Sequence, residues 1–428
     1  MSEFVPEGWK RIQLNDFVLK FQNGYAFSAK GYVSDGIPIV SMGSIQLDGR
    51  FKKNNLKLKY WPETELLDLE RYLVEGGDLI MAMTDVTPTM ELIGRACIVE
   101  SKKKYLLNQR VGLVSVDESI ACKSYIAYCS NFDEWRTYCI GSSGLGAQAN
   151  LGTAQILGGY LTLPQLPEQQ KIAAILTSVD EVIEKTQAQI NKLKDLKTGM
   201  MQELLTRGVG VDGKPHTEFK DSPVGRIPKA WDCVQMDTIC EKITDGEHQT
   251  PIRTNDGYYL LSARNVRDGC IDLTNVDYVG EAEFQRISKR VSPKQGDVLI
   301  SCSGSVGRVA VVPPGLEFSM VRSVAILQLK SECVDSEFMA LQVSATATQY
   351  QIEQSLSQQA QANLFQGAIK KLIVVVPSLL EQQQIANIVN SMTVKIITQQ
   401  NKLKATKSLK KALMQDLLTG KVRVKVDS

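Results

Sequence analysis

The stretches whose residue types could support catalysis each lack an essential part. Residues 208–214 are close to a phosphate-binding loop, but Pro215 stands where a Ser or Thr would hold magnesium, and the stretch follows a helical pattern instead of a strand. Residues 304–308 are glycine-rich, and the apolar runs on both sides favour a β-turn. The sequence contains no G-x-S-x-G, no H-E-x-x-H and no Asn/Asp-Pro-Pro-aromatic loop; Asp85-Val-Thr-Pro88 is only distantly similar to the last. We therefore predict no catalytic residue in this chain.

Metal ligands are also not grouped in the sequence. The nine cysteines are scattered with no C-x-x-C pair, and His216 and His248 lie far apart and flank no cysteine pair, so no metal site is predicted. An odd number of scattered cysteines is typical of reduced thiols, which predicts a cytoplasmic protein. The N-terminal sequence has no apolar core of a signal peptide, and no apolar run reaches membrane-spanning length.

Charge is distributed unevenly along the 428 residues. The net charge is only +2, but residues 379–428 contain 9 Lys and Arg against 3 Asp and Glu, while the rest of the chain is close to neutral or slightly acidic. A protein that coats nucleic acid without selectivity would be far more basic. If the chain binds DNA, local patches or partner proteins must supply the phosphate contacts.

Two long amphipathic segments organise the chain. Apolar residues recur at alternating steps of four and three in residues 166–207 and again, 213 positions later, in residues 380–418, which predicts two helices with a heptad seam. The predicted seam consists of Ile172, Leu176, Val179, Ile183, Ile190, Leu193 and Leu204 in the first helix and of Ile385, Val389, Ile396, Leu403, Leu413 and Leu417 in the second.

The two seams are interrupted by polar residues at the same steps. Thr186 corresponds to Gln399, and Lys197 corresponds to Lys410. Because buried polar positions can fix the register of helix pairing, this shared pattern favours two helices that pair with each other. The alternative is that each helix packs only on its own domain. A proline before each helix and a glycine after it, Gly208 or Gly420, suit the predicted ends.

The repeat extends to the regions before the helices. Each copy opens on a tryptophan, continues to a Gly-Asp strand start and a Gly-Arg turn, and closes on Ala-Gln-Ala-Asn. These pairs are Trp9 and Trp231, residues 77–78 and 296–297, residues 94–95 and 307–308, and residues 147–150 and 360–363. The sequences between these anchors differ. We interpret the copies as duplicated domains that recognise different targets.

Within each copy, short β-patterns alternate with one helical pattern, which predicts a mixed α+β domain. The predicted strands are residues 37–41, 78–84 and 111–116 in the first copy and residues 258–262, 297–302 and 324–329 in the second, with a helix near 119–138 and near 335–356. The predicted domains are a first recognition domain (1–163), a central helix (164–207), a linker and second recognition domain (208–377), a C-terminal helix (378–420) and a tail (421–428).

This ordered, duplicated set of motifs resembles the specificity (S) subunits of type I restriction-modification systems over nearly the whole chain. The resemblance rests on Leu-Pro-Glu-Gln-Gln-Lys-Ile at 166–172, Leu-Glu-Gln-Gln-Gln-Ile at 380–385, Asn-Gly-Tyr-Ala-Phe at 23–27 and Asp-Gly-Glu-His-Gln-Thr-Pro at 245–251, together with the Gly-Asp strands and Gly-Arg turns. Residues 91–95, Glu-Leu-Ile-Gly-Arg, depart from the usual Gly-Ser-x-Gly-Arg turn.

The resemblance implies an α+β fold with two target-recognition domains related as a pseudo-two-fold repeat, separated by two long helices that pair as an antiparallel coiled coil. It implies that each domain reads one half of a bipartite double-stranded DNA target and that the helices set the gap. Two methylase (M) subunits would dock on the chain, and restriction (R) subunits would join them. S-adenosylmethionine, ATP and magnesium would belong to those partners, with no cofactor in this chain. Because the two copies differ, we predict two unlike half-sites.

Side-chain type then selects candidate DNA contacts, since Arg suits guanine, Asn and Gln suit adenine, and Lys suits phosphate. In the first domain the candidates are Asn23, Tyr25, Lys52, Lys53, Lys102, Lys103, Lys104 and Arg110. In the second they are His248, Gln249, Arg253, Arg264, Asn265, Arg267, Ser305 and Arg322. Arg95 and Arg308 recur at matching positions, which favours a structural role in the turn.

Two alternative functions remain open at this point. One is a coiled-coil scaffold whose globular domains bind proteins, which the near-neutral charge of those domains favours slightly. The other is a nuclease or methylase with an unrecognised active site. Sequence-selective DNA binding together with a methylase partner would exclude the first, and chemistry by the purified chain alone would support the second.

Overall fold

A computed structural model describes residues 5–52, 58–144, 149–210, 213–357 and 363–426. The chain divides into two compact units, and each unit is discontinuous in sequence. Unit 1 consists of residues 1–187 and 401–428, and unit 2 consists of residues 188–400. Each of the two long helices therefore contributes one half to each unit.

Unit 1 contains a mixed α+β domain and the halves of two helices. Its strands are β1 (Lys10–Gln13), β2 (Val18–Asn23), β3 (Ile37–Val40), β4 (Lys59–Trp61), β5 (Leu73–Val74), β6 (Leu79–Ala82), β7 (Thr84–Asp85), β8 (Ala96–Ile98), β9 (Tyr105–Leu107), β10 (Val111–Val116), β11 (Ala149–Asn150) and β12 (Tyr160–Leu163). Its α-helices are α1 (Leu66–Leu69), α2 (Lys123–Ser130), α3 (Asp133–Ser142), α4 (Thr153–Leu157) and the first half of α5 (Leu166–Arg207).

Two four-stranded sheets build this domain. One has the order β2-β10-β6-β8 and is antiparallel, and the other has the order β4-β3-β9-β5, in which β3 and β9 are parallel. All four residues of β6 are buried. Leu79 and Met81 pack into the core that includes α2 and α5, while Ile80 and Ala82 pack into the core that faces the second sheet. Because neighbouring residues of a strand point to opposite faces, β6 lies between two hydrophobic cores.

Unit 2 repeats this plan. Its strands are β13 (Phe219–Ser222), β14 (Gly225–Pro228), β15 (Asp232–Gln235), β16 (Cys240–Asp245), β17 (Arg253–Thr254), β18 (Tyr258–Leu261), β19 (Val266–Arg267), β20 (Cys270–Ile271), β21 (Asp277–Val279), β22 (Val298–Ser301), β23 (Val309–Val311), β24 (Phe318–Met320), β25 (Val324–Leu329) and β26 (Ile373–Val376). Its α-helices are α6 (Glu281–Ser288), α7 (Ser336–Ser344), α8 (Thr346–Ser357), α9 (Gln366–Lys370) and the first half of α10 (Leu379–Leu418).

The first sheet of unit 2 matches that of unit 1 strand for strand, and the second sheet shares its parallel pair. The order β16-β25-β22-β23 corresponds to β2-β10-β6-β8, and β18 pairs with β24 in parallel as β3 pairs with β9. Residues 208–228, predicted as a linker, include the hairpin of β13 and β14. The structure therefore confirms the predicted duplicated α+β domains.

Each predicted domain helix is in fact two helices. In unit 1, Phe132 is extended (φ −90°, ψ 154°) and separates α2, which ends at Ser130, from α3, which starts at Asp133. In unit 2, Ala345 is extended (φ −69°, ψ 148°) and separates α7 from α8. The single helices predicted near 119–138 and 335–356 are therefore wrong in this respect.

The long helices were predicted closely. α5 spans the predicted residues 166–207, and α10 begins one residue before the predicted start. In unit 1, Leu176 near the start of α5 shares a core with Leu417 at the end of α10. In unit 2, Leu204 at the end of α5 shares a core with Ile385 near the start of α10.

The two helices therefore pack together and run antiparallel, as predicted. Most seam residues are buried, while Val179, Leu193 and Leu413 are partly buried. Gly208 and Gly420 follow the helix ends with φ of +66° and +68°, a conformation that glycine adopts at no steric cost. In the described part of the chain, neither these nor the shorter helices combine the length and apolar character that crossing a membrane requires.

Candidate nucleic-acid interface

The Glu-Gln pair at the start of each long helix fixes the helix to its domain. In unit 1 the side-chain amide of Gln169 donates to the carbonyls of Ile120 and Pro164. It also accepts from the backbone N–H of Cys122, and all three distances are 2.9 Å. In unit 2 the Gln382 amide makes the same three bonds, with Cys333, Pro377 and Asp335, again at 2.9 Å. The Glu-Gln motif at the start of each long helix is thus structural, since its glutamine positions each domain on its helix.

The glutamate before each of these glutamines binds the segment that follows the end of the other long helix. Glu168 accepts two hydrogen bonds of 2.8 Å from the Arg423 guanidinium, which follows α10. Glu381 accepts from the Gly210 amide, from His216 Nε2 and from Trp231 Nε1 at 2.9–3.0 Å, after the end of α5. Both glutamates are buried. In each unit, a buried carboxylate with several donors therefore joins the start of one long helix to the segment that follows the other.

Three loop segments of unit 1 meet at the carboxyl ends of the parallel strands β3 and β9. We call this edge 1; it consists of residues 23–27, 41–44 and 108–110. The Tyr25 amide donates to the Leu107 carbonyl at 2.8 Å, and the Gln109 amide donates back to the Tyr25 carbonyl at 2.9 Å. The Asn108 amide donates to the Val40 carbonyl at 3.0 Å. These bonds place the three loops side by side.

The same framework recurs in unit 2 as edge 2, which consists of residues 245–249, 262–265 and 321–323. The Glu247 amide donates to the Met320 carbonyl at 2.8 Å, and the Arg322 amide donates back to Glu247 at 3.0 Å. The Val321 amide donates to the Leu261 carbonyl at 3.0 Å. Each edge also contains a glycine, Gly24 or Gly246, at which a Cβ would overlap the neighbouring backbone. The edges are therefore equivalent in backbone structure.

Four of the predicted contacts of the first domain lie on or beside edge 1. Lys52 and Arg110 line an open cleft of about 670 Å³, together with Lys59 and the aromatic side chains of Phe27 and Tyr32. Tyr25 lies beside Phe27, with ring centroids 5.0 Å apart. Asn23 ends β2 just before this loop, and its side-chain oxygen accepts from Thr153 Oγ1 at 3.2 Å. A cleft with cationic and aromatic walls suits a nucleic acid.

The lysine cluster at 102–104 lies elsewhere. These exposed residues lie at the amino end of β9, whereas Arg110 and the cleft lie at its carboxyl end, so the strand separates them. Lys104 is 3.7 Å from the Glu75 carboxylate. The structure therefore does not bring Lys102, Lys103 and Lys104 together with the rest of the predicted set. Lys53 falls outside the described residues.

Carboxylates hold most of the predicted cations of the second domain. Asp277 accepts from Arg253 Nε at 3.0 Å and from an Arg264 terminal nitrogen at 2.5 Å. Burial alone would raise the pKa of Asp277, but the bonds from Arg253 and Arg264 outweigh it and hold the pKa below its ordinary value of 3.8. The carboxylate thus stays ionised and orients two arginines whose side chains are still almost half exposed.

The other polar candidates of unit 2 are held by their own loops. His248 Nε2 lies 3.0 Å from Asp245, and the backbone N–H of Gln249 donates to the Glu247 carboxylate at 2.8 Å. Arg267 Nε lies 3.4 Å from Asp272. Ser305 is exposed in the loop between β22 and β23, where the Ser301 hydroxyl donates to its carbonyl.

Asn265 must be removed from the set of candidate contacts. Its side chain is 1% exposed. Its oxygen accepts from the Ser262 amide at 3.0 Å, and its nitrogen donates to the carbonyls of Asp272 and Asn275. Ser44 does the equivalent work in unit 1, where its hydroxyl accepts from the Ser41 amide. A buried amide with its bonds satisfied stabilises the turn and does not reach a base.

One residue of interest was missed from the sequence. Gln109 occupies on edge 1 the position that Arg322 occupies on edge 2, and both are exposed. The signal was present in the internal repeat, because Gln109 and Arg322 lie two residues before the valine that starts β10 or β25. In contrast, Arg95 has a structural role, since it donates to the Glu91 carbonyl of its own turn and to the Asn131 side chain after α2.

Two mixed α+β domains, each followed by a long helix and each carrying an equivalent loop edge, define a class of protein with paired recognition domains. The chain matches the family model described as the type I restriction modification DNA specificity domain over residues 6–195 and 228–406. Since these ranges cover most of the sequence, the chain belongs to the family of type I restriction-modification specificity subunits, and its role is DNA target recognition.

Two curated relatives match over most of their length. The chain is 26% identical over 431 residues to a protein assigned provisionally as the type I restriction enzyme MjaX specificity subunit of Methanocaldococcus jannaschii, covering 98% of this chain and 95% of that protein. It is 23% identical over 403 residues to the EcoBI specificity subunit of Escherichia coli, covering 91% and 80%.

Solved structures share the fold. The S subunit of a type I restriction-modification system from M. genitalium superimposes with a TM-score of 0.61 at 11% identity, covering 97% of both chains. A chain from a structure on complex assembly and conformational transition of the type I system superimposes with a TM-score of 0.54 at 16% identity, covering 98% of this chain and all of that one.

Proposed function

We propose that the two units read the two halves of one bipartite, asymmetric DNA target, with edges 1 and 2 as the reading surfaces. The observation that carries the proposal is the duplicated backbone framework with unlike side chains. Edge 1 presents Tyr25, Gln109 and Arg110, and edge 2 presents Arg264 and Arg322. Major-groove base edges distinguish all four base pairs, so different side chains on the same framework select different sequences.

The long helices supply the spacing in this proposal. α5 has 42 residues, which at 1.5 Å per residue is a rod of roughly 60 Å. A rigid connection between two readers turns half-site spacing into a geometric property of the protein, as in dimeric DNA-binding proteins. The length of the unread gap then follows from the helices and not from base contacts.

We propose that the same helices dock two methylase subunits. Leu196 on α5 and Leu409 on α10 are 213 positions apart, the offset of the repeat, and both are about half exposed. An isolated exposed leucine needs no explanation, but its recurrence at equivalent positions suits two copies of one partner. Restriction subunits would join this complex, and S-adenosylmethionine, ATP and magnesium would be bound by the partner subunits.

The test is a methylation map of a host genome that carries this chain and its methylase, obtained by single-molecule sequencing with and without the gene for this chain. We expect a gapped, asymmetric adenine motif that disappears on deletion. A palindromic motif would contradict the inference from unlike edges. An unchanged map would contradict the proposed function and leave the scaffold alternative in its place.

A further inference from the structure

Edges 1 and 2 can be compared position by position, because their backbone hydrogen bonds are the same. The third segment of each edge follows the parallel strand β9 or β24 and ends at the valine that starts β10 or β25. Gly24 donates to Val111 at 3.2 Å, and Gly246 donates to Val324 at 3.1 Å. Gln109 and Arg322 each lie two residues before these valines and are therefore equivalent positions of the two edges.

Several other positions of the edges have side chains that are buried or engaged by the protein itself. Ser44 and Asn265 are buried caps of the second segment. Glu247, the equivalent of Tyr25, is buried and accepts from the Gln249 amide and from Arg286. Arg264 is bound by Asp277 and the Asn275 carbonyl, which uses part of its guanidinium.

Gln109 and Arg322 differ from these neighbours. Both side chains are exposed. In the described part of the chain, neither side chain has a hydrogen-bond or ion-pair partner. Their backbone amides, in contrast, are fixed by the reciprocal bonds to Tyr25 and Glu247. A rigid backbone with a free polar side chain is what direct readout requires, because the donor and acceptor groups are held near the ligand and not consumed by the protein.

We infer that Gln109 and Arg322 are the equivalent specificity-determining residues of the two units, each reading one base pair of its own half-site. This inference rests on the proposed function. The chemistry of the two side chains differs in a defined way. A glutamine amide pairs bidentately with adenine N6 and N7, and an arginine guanidinium pairs bidentately with guanine O6 and N7. One position of the framework therefore selects an A·T pair in the first half-site and a G·C pair in the second.

The test exchanges the two residues and maps methylation in the presence of the methylase. Gln109→Arg is expected to change one position of one half-site from A·T to G·C, and Arg322→Gln is expected to make the opposite change in the other half-site. Duplex binding by the complex should shift in preference by about 5- to 150-fold, which corresponds to the range for a bidentate base contact. The remaining positions of the motif should stay as in the wild type.

Matched controls make the same chemical changes away from the edges. Gln165→Arg, at an exposed residue before α5, and Arg226→Gln, at an exposed residue of β14, should leave the motif unchanged. Melting temperatures of all four variants should equal that of the wild type, since the substituted side chains are exposed.

The outcomes separate this inference from the proposed function. A wild-type chain that directs no gapped motif refutes the proposed function. A wild-type chain that directs such a motif, with variants that leave it unchanged or alter both halves together, refutes the assignment of Gln109 and Arg322 alone.

Discussion

Lys410 of α10 and Asp180 of α5 form an ion pair inside unit 1, with 2.7 Å between Nζ and Oδ1 and only 11% of each side chain exposed. The Tyr128 hydroxyl of α2 donates to the other oxygen of Asp180 at 2.8 Å, and Lys410 Nζ lies 5.4 Å from the centre of the Tyr128 ring. Two long helices and the recognition domain thus meet in one buried polar cluster. Since burying two charges costs desolvation energy, we expect this cluster to fix how α5, α10 and α2 pack together more than to add stability.

Removing one partner of this pair should be strongly destabilising. We expect Asp180→Ala to lower the free energy of unfolding of unit 1 by about 3–5 kcal/mol, because Lys410 would be left buried and unpaired. The double variant Asp180→Leu with Lys410→Met should recover most of the loss. Urea denaturation measures both. The control is Glu181→Gln, whose ion pair with Lys185 is exposed and should contribute at most about 0.5 kcal/mol. Equal effects at 180 and 181 would contradict the role of the cluster.

The cluster also shows where sequence symmetry fails. Lys197 is the repeat equivalent of Lys410, but Thr393 and Leu341 stand where Asp180 and Tyr128 would be. Within the described residues Lys197 has no carboxylate within 4.0 Å, and burial lowers its pKa. The two lysines looked alike as interruptions of a heptad seam. Only the structure shows that one is an ion-pair partner and the other is a partly buried cation.

Gly208 should be far less tolerant of substitution than a nearby glycine of similar conformation. Gly208 (φ +66°) lies against the Glu381 carboxylate, and a Cβ there would overlap it, whereas Gly213 (φ +77°) has no atom near the Cβ position in the described structure. We expect Gly213→Ala to cost about 1–2 kcal/mol from backbone conformation alone. Gly208→Ala should cost about 1–3 kcal/mol more, because Glu381 must move. Thermal unfolding compares the stability of the two variants, and equal losses would contradict the tight packing of Gly208 against Glu381.

Arg423 should make the stability of unit 1 depend on pH. Its guanidinium lowers the pKa of Glu168 below the ordinary value of 4.5. A lowered pKa in the folded state contributes stability above the unfolded pKa, and this stability is lost as the pH falls through the folded pKa.

Arg423→Met should therefore cost about 1–3 kcal/mol at neutral pH, since a buried carboxylate loses a charged donor. The difference from the wild type should shrink as the pH falls below about 4. Chemical denaturation at several pH values measures this. The control is Lys421→Met, because Lys421 is exposed and 3.6 Å from Asp416. A difference that persists at low pH would show that packing and not charge explains the loss.

The parts of the fold that sequence predicted are those set by local patterns. α5 was predicted with its observed bounds, because a heptad seam, a proline near its start and a glycine after its end all agree. The loop edges were not predicted, since they form from segments up to about 85 residues apart whose proximity depends on the parallel pairing of β3 and β9. Side-chain type also could not show that Asn265 is buried or that Asp277 binds two of the candidate arginines.

The repeated leucines on the long helices allow a test of partner number. We expect Leu196→Arg and Leu409→Arg each to reduce the number of bound methylase subunits from two to one, because each places a charge at one proposed contact. Native mass spectrometry of the complex counts the subunits. Val182 on α5 is also partly exposed, but Lys395 is its repeat equivalent, so Val182→Arg serves as the control. A complex that keeps two methylases in both leucine variants would contradict the docking proposal.

Arg264 offers a test of whether the two half-sites are read independently. Arg264 lies on edge 2, where Asp277 orients it and leaves 44% of its side chain exposed. We expect Arg264→Ala to weaken binding of the complex to its target by about tenfold, within the range of one arginine–base contact.

The loss of binding should be confined to the second half-site. With the second half-site scrambled, wild type and variant should bind equally, and with the first scrambled, the variant should still bind more weakly. Fluorescence anisotropy with the intact target and the two scrambled duplexes measures these affinities. Arg226→Ala is the control, because Arg226 is exposed on β14. Equal weakening at both half-sites would mean that Arg264 acts through the whole complex or through a phosphate contact common to all sequences. No weakening at all would mean that Asp277 holds Arg264 for structural reasons and that edge 2 reads DNA through other residues.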